Sequence, residues 1–239
     1  MEGNMRKTGI VIAADVNSFI EMWRLIEIAT TVPEVVAIKV GFTLTLRYGL
    51  STVIDAIRDV SKLPVIYDHQ KAGTDIPAMG KAFTSTCKDV GVDSLIIFPQ
   101  AGPKTLEGFV TAATDCEIVP IVGLVMTHQS YLQSEGGYIV DNAPMLICKT
   151  AVELGVTSFV LPGTKPDIVK KYSQVLSTAI EPAADILMPG IGSQGGSLNV
   201  AITSAAPHRR FVIIGSAIYN APDPKQALAS FAAEIRGVS

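Results

Sequence analysis

The chain has 239 residues, 48% hydrophobic and 17% charged, which excludes a disordered chain and leaves ample apolar surface for a sizeable core. With 19 basic and 22 acidic residues its net charge is −3, and no Lys/Arg stripe marks a nucleic-acid-binding face. The longest mainly apolar stretch, 118–126, is far below the ~20 residues of a membrane span, so the reading is a cytoplasmic protein with no membrane contact.

Short apolar runs alternate with longer amphipathic stretches from one end of the chain to the other. The first run is 10–14, and after Ser18, an N-cap, Phe19, Trp23, Ile26 and Ile28 recur at helical spacing. Next comes 35–40, with Val53, Ile54, Ile57 and Val60 on a second helix. The runs 64–67, 94–98, 118–122, 158–161, 185–188 and 211–214 are followed by helical stretches at 79–90, 104–113, 144–154, 166–176, 198–205 and 224–235. The runs are rich in Val and Ile and lack clean alternation, as strands buried on both faces do. Several helices begin near a proline, and Gly91 and Gly155 follow helix C-termini. Eight such pairs give roughly 30 residues per unit, the size of a βα repeat, which predicts an α/β fold: one (β/α)8 TIM barrel over residues 1–239. A doubly wound open sheet is the alternative, but its G-x-G-x-x-G turn is absent after the first run, where Asp15-Val16-Asn17 stands. Cys87, Cys116 and Cys148 are too sparse for a disulfide framework and form no zinc-type cluster.

In such a barrel the active site forms where the strands end. Asp15 ends the first strand, Lys39 lies within the second and Asp68 ends the third. A lone Asp at a strand end is equally a turn former or helix cap. Lys39 is different, because a lysine inside a buried strand needs a carboxylate, and Asp15 and Asp68 flank it. The seventh strand runs into a glycine-rich segment, 189–196, ahead of a helix, a pattern suited to close approach of a phosphate. Asp68, Lys71 and Asp75 suggest proton chemistry. Lys71 shares a face with Asp68 only if the chain turns or bulges between them. His69 and His128 have no Ser or Cys nucleophile beside them and read as structural, while His208 beside Arg209 and Arg210 reads as a surface basic patch. Tyr67, Trp23 and the phenylalanines read as packing residues.

In order and spacing these residues, with Met126-Thr127-His128 and Gly215-Ser216-Ala217-Ile218-Tyr219, resemble the orotidine 5'-phosphate decarboxylase family from Asp15 to Tyr219. The resemblance implies a cofactor-free, metal-free loss of CO2 from C6 of orotidine 5'-monophosphate, giving uridine 5'-monophosphate. It implies that Lys71 protonates C6, that Asp68 stands against the departing carboxylate, and that Asp75 enters the neighbouring site of a homodimer. It further implies that Asp15 and Lys39 contact the ribose, that Thr127 bonds the pyrimidine, and that Pro189, Gly190, Gly192, Gln194, Gly195, Gly215 and Ser216 surround the phosphate. Three departures stand out. The family pattern Asp-x-Lys-x-x-Asp is here Asp-x-x-Lys-x-x-x-Asp; Ser216 replaces the family arginine, with Arg209 or Arg210 as possible substitutes; and Ala78-Met79 follow Pro77 where a threonine is usual. A barrel lyase or decarboxylase acting on a sugar phosphate, and a non-catalytic binder of phosphoribosyl ligands, are the alternatives.

Overall fold

The computed structural model describes residues 7–69 and 72–238. Strands β1 (Thr8–Ala13), β2 (Val35–Gly41), β3 (Val65–Asp68), β4 (Ser94–Ile97), β5 (Val119–Gly123), β6 (Ser158–Val160), β7 (Asp185–Pro189) and β8 (Arg209–Ile214) close into a barrel in chain order. β8 pairs back onto β1 in parallel, Ile12 opposite Ile214. Each expected strand is present within two residues of its expected ends.

The missing alternation has its cause in two separate cores. Inward-facing Val11, Ala37, Ile66, Ile121, Leu187 and Ile213 fill the barrel. Outward-facing Ile10, Ile38, Leu95, Phe159, Ile186 and Val212 pack against the helices. Both faces of the strands are therefore apolar, and period-2 patterning is lost.

The helix layer consists of α1 (Phe19–Thr30), α2 (Phe42–Tyr48), α3 (Leu50–Arg58), α4 (Met79–Asp89), α5 (Pro103–Asp115), α6 (Ala143–Glu153), α7 (Pro166–Ser177), α8 (Leu198–Ser204), α9 (Ser216–Tyr219) and α10 (Pro224–Gly237). Ser18 caps α1 by accepting the Glu21 N–H at 3.3 Å, and the Glu21 carboxylate returns to the Asn17 N–H at 3.0 Å. Asp223 caps α10 through the Gln226 N–H at 3.0 Å. Gly91 and Gly155 adopt φ of 84° and 81°, the left-handed conformation that ends a helix. Among the described residues no helix is long and apolar enough to cross a membrane.

Three features differ from expectation. α2 and α9 were not anticipated, because each is short and starts from a glycine with no side-chain cap. Residues 124–142 form a long connection containing a 3-10 turn at Gln133–Glu135. His208 is not on a surface patch: it is 1% exposed. Its Nδ1 accepts the Ala184 N–H at 3.1 Å, so Nε2 carries the proton given to the Ser173 carbonyl at 2.8 Å. Arg209 and Arg210 after it are themselves half-buried at the start of β8, and local sequence charge did not reveal that.

Candidate active site

β1, β2 and β3 deliver Asp15, Lys39 and Asp68 to one end of the barrel. Lys39 lies opposite Ala13 in the β1–β2 ladder, and Asp68 opposite Gly41 in the β2–β3 ladder. Lys39 shares its face with the inward-pointing Ala37, two residues earlier. Its Nζ reaches Asp15 Oδ2 at 3.0 Å and Asp68 Oδ2 at 3.1 Å. Lys39 is 6% exposed. Burial pulls its ammonium down, but Asp68 and then Asp15 outweigh that, and the net displacement is upward. Lys39 is therefore a fixed cation between two carboxylates. Gly41 makes room for one of them: a Cβ at this position would stand 2.6 Å from Asp15 Oδ1.

These groups open into a cavity of about 360 Å³ at the C-terminal ends of the strands, within the size range of small-molecule sites. Ala13, Ile96, Phe98, Val160 and Ile213 supply apolar lining. Thr127, Pro189, Gly190, Ser193, Gln194, Gly215, Ser216 and Tyr219 line the rest of its polar part together with Asp15, Lys39 and Asp68. The Thr127 carbonyl accepts the Thr164 hydroxyl at 3.2 Å, which ties the β5 and β6 loops together. Among the described residues no group of three His, Cys, Asp or Glu side chains is placed to hold a metal ion.

Most of the expected residues meet here, and several do not. Lys71 lies outside the described residues. Gly192 and Gly195 belong to the loop but not to the cavity lining. Their N–H groups are used within the loop, Gly192 to the Gly196 carbonyl at 3.0 Å and Gly195 to the Gly192 carbonyl at 2.9 Å, so these amides cannot grip a phosphate while those bonds hold. Asp75 is also outside the lining; one of its oxygens accepts the Ile76 N–H at 2.8 Å. Arg209 is no substitute for a phosphate arginine. It pairs with Asp185, Nε to Oδ1 at 2.6 Å, and both residues begin their strands. Five residues of strand separate Arg209 from the rim, about 17 Å. Arg210, next to it, is equally remote, and burial lowers its pKa. His69 packs in a cluster with Tyr67 and Phe83, and His128 packs edge-on to Tyr131 at 5.9 Å. Neither histidine lines the cavity.

Two polar lining residues were not assigned from sequence, Ser193 and Tyr219. Both lie in segments that carried the resemblance, and their position beside Gln194 and Ser216 was the available signal.

Residues 8–231 match the family described as Orotidine 5'-phosphate decarboxylase / HUMPS family. The chain belongs to this family. The orotidine 5'-phosphate decarboxylase of Methanosarcina mazei is 32% identical, the match covering 97% of this chain and 96% of that protein. The crystal structure of orotidine 5'-phosphate decarboxylase from Pyrococcus horikoshii OT3 superposes with a TM-score of 0.77 at 26% identity, covering 96% of this chain and 100% of that one. That of the Methanocaldococcus jannaschii decarboxylase, complexed with the inhibitor BMP, has a TM-score of 0.81 at 23% identity, covering 95% and 98%, and bears on the fold. Within this family fold, Ser216 stands just after β8, and no Lys or Arg is among the described residues that line the β7–β8 side of the cavity.

Proposed function

We propose that this chain decarboxylates orotidine 5'-monophosphate to uridine 5'-monophosphate without a cofactor. The observation that carries this reading is Lys39 clamped between Asp15 and Asp68 at the mouth of a closed barrel of this family. In the proposed reaction the C6–carboxylate bond breaks, CO2 leaves, and the electron pair remains on C6. Lys71 then gives C6 its proton. Asp68 faces the substrate carboxylate beside apolar lining, where like charges repel strongly, and departure of CO2 relieves that repulsion. Lys39 holds Asp68 in position, Asp15 bonds the ribose and Thr127 the pyrimidine. The loop 190–196, with Gln194 and Ser216, encloses the phosphate.

Asp75 acts in the neighbouring site of a homodimer. Its place outside its own cavity supports this, as do the exposed apolar side chains next to it, Ile76 and Met79. Three free thiols, two of them buried, fit the reducing cytoplasm.

The test is the loss of ultraviolet absorbance when the purified protein meets orotidine 5'-monophosphate in EDTA. Turnover is expected; folded protein with none overturns the reading, and activity abolished by chelation points to a metal-dependent sugar-phosphate relative. Lys71→Ala should lower kcat by about 10²–10⁴-fold, the range for a lost general acid. Full activity in that variant would move the proton delivery to another residue. Mixing Lys71→Ala with Asp75→Ala, each inactive alone, should restore activity if sites are shared between subunits; no recovery argues for self-contained sites.

A further inference from the structure

The β7–β8 side of the cavity is built from hydroxyls and an amide. Ser216 Oγ donates to Ser193 Oγ at 2.7 Å, joining the end of β8 to the glycine-rich loop. The Tyr219 hydroxyl stands next to Ser216. All three residues line the cavity, with Gln194 beside them. Lys39 is the cation among the described lining residues, and Asp15 and Asp68 already hold it on the β1–β3 side.

We propose that the Ser216–Ser193 pair, with Tyr219 beside it, is an uncharged phosphate grip, and that it makes this site discriminate weakly between a pyrimidine 5'-nucleotide and its nucleoside. The inference rests on the decarboxylase reading for the orientation of the ligand, phosphate toward β7 and β8. Two hydroxyls linked head to tail use one proton between themselves. With Ser216 donating to Ser193, the Ser193 proton is left to point at an anion, and the link polarises it. Burial raises the Tyr219 pKa, and Asp15 adds to that rise against the opposing effects of Lys39 and Ser216. The phenol therefore stays protonated, an uncharged group beside the serine pair. Neutral donors bind a phosphoryl group more weakly than a bidentate guanidinium, and they bind it without a formal charge for salt to screen.

Binding of uridine 5'-monophosphate and of uridine, measured by calorimetry on the full chain from about 20 to about 500 mM KCl, tests this directly. The ratio of the two affinities should be modest and should change less than about threefold across that salt range. Ser193→Ala and Ser216→Ala should each lower the ratio several-fold by weakening the nucleotide while leaving uridine unchanged. Ser216→Thr, which keeps the hydroxyl, should restore it. Ser216→Arg should raise the ratio about tenfold or more and make it salt-sensitive. A wild-type ratio that is large and falls steeply with salt overturns the proposal, because it requires a cation at the phosphate. So does a ratio unmoved by both alanine variants, or equal weakening of nucleotide and nucleoside, which marks a structural role. The two readings fail separately: absence of turnover with serine-dependent nucleotide binding removes the decarboxylase, and turnover with serine-independent binding removes the hydroxyl grip.

Discussion

At the scale of single residues, the site is a problem in placing like charges side by side. Asp15 and Asp68 are both within 3.1 Å of one buried ammonium, and neither arrangement survives without the other partners. Lys39→Met leaves two carboxylates facing a desolvated cavity, so it should cost about 3 kcal/mol in urea unfolding and most of the activity. The pH dependence follows from the upward displacement of Lys39. A raised cation stabilises the fold fully below its unfolded value, about 10.5, and that contribution disappears as pH rises through the higher folded value. Stability curves of wild type and Lys39→Met should therefore converge in that alkaline range; convergence near neutral pH would contradict the geometry. Gly41→Ala probes the same contact from the backbone side, since the new Cβ falls 2.6 Å from Asp15 Oδ1. Displacing that carboxylate should lower kcat/KM by about tenfold to a hundredfold with little loss of stability. Lys39 and its two partners were legible in sequence because a lysine in a buried strand has few ways to be satisfied. The roles of Ser193 and Tyr219 were not, since a hydroxyl carries no such constraint and gains meaning only from what stands next to it. Arg209 misled for the converse reason: adjacency to β8 in sequence said nothing about which end of the strand it occupies, and it occupies the end paired with Asp185.

At the scale of elements, the barrel was readable wherever burial is two-sided or a cap has a side chain. All eight strands were expected, because apolar residues on both faces produce unbroken Val/Ile runs. α1 was marked by Ser18, whose cap makes its hydrogen bond, and α10 by the proline at its start, Pro224, behind which the structure adds an Asp223 cap. Ser18→Ala should therefore cost about 1 kcal/mol in urea unfolding with activity unchanged; a loss of activity would show that α1 also positions Asp15. α2 escaped because Gly41 gives it no capping side chain and because Phe42 and Leu46, on so short a helix, are exposed at 56% and 76%. Its exposure removes the apolar periodicity from which a helix is inferred. α9 has four residues, too few for any period to register. Both unanticipated helices begin directly after a strand end at the rim. The glycines that start them, Gly41 and Gly215, lie beside Asp15 and Ala13. Close packing at the mouth and weak helix signals thus have one origin.

At the scale of the whole molecule, the two concentric cores imply that access to the outer one requires the helix layer to lift from the barrel. The cysteines report on this. Cys87 and Cys148 are buried in the outer core, whereas Cys116 is partly exposed. Burial pushes the Cys87 thiol up to about 12 and the Cys148 thiol up to about 11, so at neutral pH neither supplies the thiolate that reacts. An aromatic disulfide reagent added to native protein should modify Cys116 first. Cys87 and Cys148 should follow together, at a rate set by opening of the barrel and helix layer. Because they sit on α4 and α6, on different parts of the helix ring, a common rate for the two means cooperative opening. A fast phase for Cys148 alone would instead mean that α6 and the long 124–142 connection before it detach independently. A bound nucleotide grips the native cavity and not the unfolded chain, so saturating uridine 5'-monophosphate should slow both buried thiols by the factor 1 + [L]/Kd while leaving Cys116 unchanged. Protection of one buried thiol without the other would show that the cavity and the barrel do not open as a unit.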